Sequence, residues 1–151
     1  MSELQLDILH CIGGTSLVPL RNIVPRRGAR ILLKLEGENP TGSMKDRMAL
    51  SMVMGAEASG RLKPGGRVVD YTGGSTGSSL AMVCASRGYK ARFVSSDAFA
   101  EEKLQTMRAF GAELEIIPCA NGKVTPELVQ ACLVRVRELA AEPNRFWTDQ
   151  F

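Results

Sequence analysis

From Arg30 onward the chain alternates short apolar runs with longer amphipathic ones, and this alternation constrains the fold more than any other feature. Residues 31–35, 67–71, 91–95, 113–117 and 145–148 read as strands, with Val68, Val69, Phe93 and Val94 as their apolar centres. Between them, residues 45–58 place Met48, Ala49, Met52, Val53 and Ala56 at helical spacing, with Gly60 as the stop signal. Residues 76–87 and 101–110 read as helices ended by Gly88 and Gly111. The clearest helix comes last. Thr125 is a good N-cap, Pro126 suits the first helical position and Glu127 suits the positive end of the helix. Leu128, Val129, Cys132, Leu133, Val136, Leu139 and Ala140 then share one face, and Pro143 closes the stretch. Pro64-Gly65-Gly66 and Asn121-Gly122 read as turns. Strands alternating with helices predict right-handed βαβ units, and so an α/β fold with a parallel sheet flanked by helices.

Composition agrees with a single globular unit of this kind. The chain has 151 residues, 44% hydrophobic and 23% charged, which is enough apolar material for a core. A net charge of +3, with basic residues spread along the chain, gives no reason to expect nucleic acid or a membrane surface as partner. No apolar run approaches the ~20 residues of a membrane span. The first nine residues carry Glu3 and Asp7 and lack the order of a secretion signal. Cys11, Cys84, Cys119 and Cys132 form no C-x-x-C pair, and His10 is the lone histidine, so no zinc site is expected. Four reduced thiols are expected instead, which places the protein in the cytoplasm.

In α/β proteins ligands gather beyond the carboxyl ends of the strands, where helix N-termini converge. Two such junctions have unusual composition. The first is Asn39-Pro40-Thr41-Gly42-Ser43-Met44-Lys45-Asp46-Arg47, in which Ser43 and Asp46 form a near capping box and Lys45 falls in the first turn. Such a lysine can simply swing into solvent. Set in a cleft, the helix dipole and desolvation both favour the neutral amine, which an imine-forming lysine requires. Asp46 and Arg47 then read as a cap and a salt-bridge partner. The second junction is Thr72-Gly73-Gly74-Ser75-Thr76-Gly77-Ser78-Ser79, between a strand and a helix. Its glycines let backbone approach an anion, and its hydroxyls and N–H groups can point at it. A flexible turn with a Ser/Thr cap is the alternative. It is neither a Walker A loop nor a G-x-G-x-x-G dinucleotide loop.

Lys34-Leu35-Glu36 followed by Asn39 to Arg47 closely resembles the lysine motif of the cysteine synthases (O-acetylserine sulfhydrylases), which with cystathionine β-synthase belong to the fold-type II pyridoxal-phosphate enzymes. Ile12-Gly13-Gly14-Thr15-Ser16-Leu17-Val18-Pro19-Leu20 is similar to that family's N-terminal signature, with Ser16 in place of the usual proline. Thr72 to Gly77 resembles its T-S-G-N-T-G substrate loop, and Asp149-Gln150-Phe151 its x-Q-F/Y element. The resemblance covers essentially the whole chain, in the correct order.

It implies that Lys45 binds pyridoxal 5'-phosphate through the cofactor's aldehyde and later carries the α-proton. Thr72, Gly73, Ser75, Thr76 and Gln150 would hold the carboxylate of the amino-acid substrate. Ser75 stands where the family usually has an Asn facing the cofactor's phenolic oxygen, and Gly73 stands at the usual Ser. The implied activity is that of a transferase or lyase of cysteine biosynthesis. A β-substituent leaves O-acetylserine or serine, and sulfide or a thiol takes its place, with the ring as electron sink. The implied partners are a second copy of the chain, as a homodimer, and serine acetyltransferase.

The resemblance also implies a domain arrangement. Residues 1–37 would be an arm that joins the large domain, and residues 38–151 the small α/β domain of the tryptophan synthase β-like fold. The family's glycine-rich phosphate loop is not found, and Phe151 directly follows a strand, so the large domain is expected to be missing. Three readings follow: an enzyme completed by further chain, a non-catalytic homologue that binds a small anion or amino acid, or an interaction module using an unpaired arm over residues 4–31.

Overall fold

The two central strands of the sheet are buried on both faces, and the fold covers them with four helices. The protein is described from a computed structural model over residues 7–22, 27–120 and 122–150. In chain order the elements are β1 (Leu17–Pro19), β2 (Leu32–Lys34), α1 (Lys45–Ala58), β3 (Arg67–Tyr71), α2 (Ser75–Arg87), β4 (Lys90–Ser96), α3 (Glu101–Ala109), β5 (Glu113–Ile117), α4 (Pro126–Ala140) and β6 (Arg145–Trp147). The sheet runs β5-β4-β3-β6 with every neighbour parallel. Phe93 faces Asp70 across the β3–β4 pair, and Val69 faces Trp147 across β3–β6.

The two-residue period of the strands sorts their side chains into two cores. Val68 and Phe93 pack with Ala49 and Val53 of α1, Leu80 of α2 and Leu104 of α3. Val69, Tyr71 and Val94 pack with Leu128, Cys132, Val136 and Leu139 of α4. The chain steps from β3 to β4 to β5 in one direction and then returns past β3 to β6. Because parallel crossovers keep one hand, reversing direction moves the connecting helix to the other face, which is where α4 lies.

Most expected boundaries fall where local signals put them. Thr125 caps α4 by accepting from the Leu128 N–H, and Gly88, in the left-handed conformation at φ 76°, ends α2. The expected first strand differs. Residues 32–34 do not join the parallel sheet but pair antiparallel with Leu17–Pro19, forming a separate hairpin. β1 is three residues long with Leu17 and Pro19 exposed, so it carries no apolar period to read. The reading of an unpaired arm is therefore corrected over residues 17–19. Residues 4–6 and 23–26 of that arm, Asn121 of the expected turn and Phe151 of the last motif lie outside the described residues.

Among the described residues all four cysteines are unpaired thiols. Cys84 and Cys132 are buried, and burial pushes the Cys84 thiol up to about 12. No described helix is long and apolar enough to cross a membrane.

Candidate functional site

A reversal of strand order leaves a crevice outside the carboxyl ends of the two strands that flank it, here β3 and β6. A cavity of about 500 Å³ opens there. Its polar lining is Lys45, Thr72, Thr76 and Gln150 with Gly73 and Gly74, and its less polar lining is Tyr71, Phe99, Val124 and Val129. Five of the residues singled out in the sequence, Lys45, Thr72, Gly73, Thr76 and Gln150, thus meet at one cavity. Ser75 opens α2 but is not part of the lining.

Lys45 is the first residue of α1 and is half-buried rather than free in solvent. The capping box expected from Ser43 and Asp46 does not form. Met44 is the N-cap residue without a side-chain bond, and Ser43 Oγ accepts from the Lys45 N–H at 3.1 Å. Asp46 turns inward instead. Its fully buried carboxylate accepts from the Thr41 N–H at 2.8 Å, from Thr41 Oγ1 at 2.5 Å and from Ser79 Oγ at 2.5 Å. A buried carboxylate demands such donors, and these come from the loop before α1 and from the second turn of α2. Asp46 therefore pins the start of α1 to the start of α2, and that pin sets Lys45 beside Thr72 and Thr76.

The start of α2 is open. Its N-cap residue is Gly74 and no side chain caps it, so the first-turn amides keep their hydrogens for whatever enters the cavity. Thr72 is 4% exposed, with its N–H donated to the Val94 carbonyl at 3.1 Å. Gly77 brings the helix close: a Cβ there would lie 2.7 Å from Thr72 Cγ2. Gly73 is glycine for a steric reason as well. A Cβ on it would fall 2.1 Å from Cγ of the Phe99 ring.

Gln150 reaches the cavity from the segment after β6. Its Nε2 donates to Asp70 Oδ2 at 3.1 Å and to the Tyr71 carbonyl at 3.2 Å. Both amide hydrogens are thus engaged, and Oε1, an acceptor, is what remains. The expectation that Gln150 donates to a substrate carboxylate therefore meets a competing pair of acceptors inside the fold. Asp70 is 1% exposed and also accepts from Trp147 Nε1 at 3.1 Å and the Tyr71 N–H at 2.9 Å. Burial raises its carboxyl to about 6, and hydrogen bonds only partly offset this. Sequence reasoning missed Asp70, although an acid inside the apolar run of β3 was the available signal. It also missed Phe99, Val124 and Val129, which lie in loops or on a helix face already explained by packing.

Arg47 is the expected salt-bridge partner. It donates to Glu36 from Nε and Nη2, each at 2.9 Å, and to Thr15 Oγ1 at 3.0 Å. These hydrogen bonds, with further ones from Thr15 and Asn39, hold the Glu36 carboxyl down at about 2. Asn39 Oδ1 accepts from the Gly13 N–H at 2.9 Å, so residues 13–16 are stitched to the loop that precedes α1.

A half-buried amine thus lies at the same cavity as an uncapped helix start, at the switch point of a parallel sheet. The chain belongs to the pyridoxal-phosphate dependent enzyme family, which it matches over residues 8–151. It is 41% identical over 152 aligned positions to a cysteine synthase of Staphylococcus aureus, aligning 100% of this chain with 47% of that protein. A hydrogen sulfide-producing enzyme from Fusobacterium nucleatum superposes with a TM-score of 0.84 at 35% identity, over 99% of this chain and 47% of that one. O-acetylserine sulfhydrylase isoform 3 of Entamoeba histolytica superposes at 0.83 and 32% identity, over 99% and 44%. The chain thus spans about half the length of these relatives.

The donor set fits the family's cofactor at one point, the amine of Lys45, which suits an aldehyde; the α2 amides with the Thr72 and Thr76 hydroxyls suit the carboxylate of an amino acid.

Proposed function

We propose that this chain supplies the lysine and the carboxylate-binding half of a cysteine synthase-like enzyme, which replaces the β-substituent of O-acetylserine or serine with sulfide or a thiol. The observation that carries the reading is that Lys45 and the uncapped start of α2 line one cavity. Pyridoxal phosphate, when bound, supplies an electron sink for the pair left on Cα. The chain's own residues do the rest. Lys45 Nζ would hold the cofactor by its aldehyde, and the same amine is the group that would carry the proton of Cα. The α2 amides with Thr72 and Thr76 hold the α-carboxylate, which fixes the Cα–H bond relative to that nitrogen. By its place in the motif, Ser75 is assigned to the ring's phenolic oxygen, and Gly73 to close backbone approach. Gln150, braced by Asp70, bounds the far side of the carboxylate site.

The four unpaired thiols accord with a reducing compartment, and we place the protein in the cytoplasm. Homodimerisation and docking of serine acetyltransferase belong to the same reading. Light scattering of the protein alone and mixed with the acetyltransferase tests both.

The decisive experiment is to titrate the purified chain with pyridoxal phosphate and record its visible spectrum. The expected result is a band of lysine-bound cofactor that is absent in Lys45→Ala. A band that persists in Lys45→Ala would overturn the assignment of Lys45, and no band at saturating cofactor would mean that this polypeptide alone is not the enzyme. In parallel, Thr72→Ala is expected to weaken binding of an amino-acid carboxylate, and unchanged affinity counts against the helix-start reading.

A further inference from the structure

The Phe99 ring occupies the space that a side chain on Gly73 would fill. A Cβ built on Gly73 would lie 2.1 Å from Cδ2 and Cγ of the ring and 2.4 Å from Cδ1, so the ring lies over that backbone. Gly73 is not in the left-handed region, which leaves this contact as the reason glycine stands there. The turn that carries Phe99 is anchored by two hydrogen bonds, and the ring itself meets one aromatic neighbour. The Phe99 N–H donates to the Ser96 carbonyl at 3.2 Å, closing a turn, and Asp97 Oδ1 accepts from the Cys119 N–H at 2.7 Å, anchoring that turn to the segment after β5. Tyr71 meets the ring at 6.3 Å between centroids, tilted by 51°.

Phe99 therefore forms a fixed aromatic wall directly beside the polar start of α2. Val129 continues that wall, and Val124, 48% exposed, adds an aliphatic side chain at the same cavity. A ligand whose carboxylate sits on α2 and whose side chain passes Gly73 would meet the Phe99 ring, and among the described residues that line the cavity Lys45 is the charged one.

We propose that Phe99, seated on Gly73, is a specificity-determining residue, and that among the thiol-derived β-substituents of the proposed reaction the site favours a bulky apolar one over a small one. The inference rests on the reading that the start of α2 binds the α-carboxylate. Size and polarity of the substituent are then decided by Phe99, Val124 and Val129, while the carboxylate contacts are common to all ligands of the site.

The test is calorimetric titration of the full chain with S-methyl-L-cysteine and S-benzyl-L-cysteine, which share every atom up to the sulfur. The benzyl compound is expected to bind about tenfold more tightly, the gain for burying one face of a phenyl ring. The preference is expected to shrink in Phe99→Leu and to fall to within about twofold in Phe99→Ala. Thermal melts of both variants establish that they are folded, and the leucine variant keeps an apolar side chain should the alanine variant prove unstable. Equal affinity for the two ligands in the unmodified chain, or a preference that survives in both variants, would overturn the role of Phe99 while leaving the carboxylate site standing. Failure of both ligands to bind would instead remove the carboxylate site, and the inference with it.

Discussion

Gln150 Nε2 donates to Asp70 Oδ2 at 3.1 Å across 80 positions of sequence, joining the last described residue of the chain to the middle of β3. The contact makes a buried acid, rather than the cavity, the partner of the glutamine amide. The candidate site thus rests on two buried carboxylates. Asp70 braces its β6 side, and Asp46 pins its two helix starts together.

Asp70 gives stability a pH dependence of known sign. Its folded carboxyl is raised by burial to about 6 against 3.8, so the folded protein binds that proton more tightly than the unfolded chain does. The contribution is fully present below about pH 3.8, is lost as pH rises toward about 6, and is absent above that. Two units correspond to about 3 kcal/mol. Urea midpoints measured from pH 4 to 7 should show this loss in the unmodified chain, superposed on the titration of other carboxylates. The difference between it and Asp70→Asn isolates the effect. Identical profiles for the two proteins would contradict it.

Asp46→Ala should lower stability by about 2–4 kcal/mol, because it removes the acceptor of the Thr41 N–H and of two hydroxyls, which keep only their mutual contact at 3.2 Å. The same variant should also lose the cofactor band expected from Lys45, since the two helix starts are no longer tied. Urea denaturation and the visible spectrum report the two effects separately.

Gly73→Ser should cost about 1–3 kcal/mol by forcing the Phe99 ring off the loop. In a Phe99→Ala background most of that penalty should vanish. A coupling energy near zero in the four-member denaturation cycle would show that the ring does not hold this position.

The Glu36 carboxyl should titrate near 2 in carbon-detected NMR and return toward its ordinary range in Arg47→Ala, because Arg47 supplies the leading hydrogen bonds. A depressed carboxyl stabilises the fold above its unfolded value of 4.5, and the contribution is lost as pH falls toward 2. Loss of the pair should also loosen residues 13–16, seen as faster amide exchange at Gly13.

The parallel sheet, its helices and the residues of the two helix starts were legible in the sequence, because each signal is local. Strand and helix periods are written within a few residues, caps such as Thr125 act on the next turn, and Gly88 ends a helix through its own backbone freedom. What needed the tertiary structure were relations between distant segments. The β1–β2 hairpin has too few apolar positions to announce itself. Asp46 looked like a cap for its own helix but was claimed by Ser79, 33 positions away. Gln150 could offer its amide to a ligand until Asp70 and the Tyr71 carbonyl took both hydrogens. Nothing in the string Thr72-Gly73-Gly74 says why glycine stands second, since the answer is an aromatic ring brought in after β4. Sequence by itself determined the α/β class and the chemical kinds of group available. Folding decided which of them face one another, because hydrogen bonds and steric contact depend on distance in space and not along the chain.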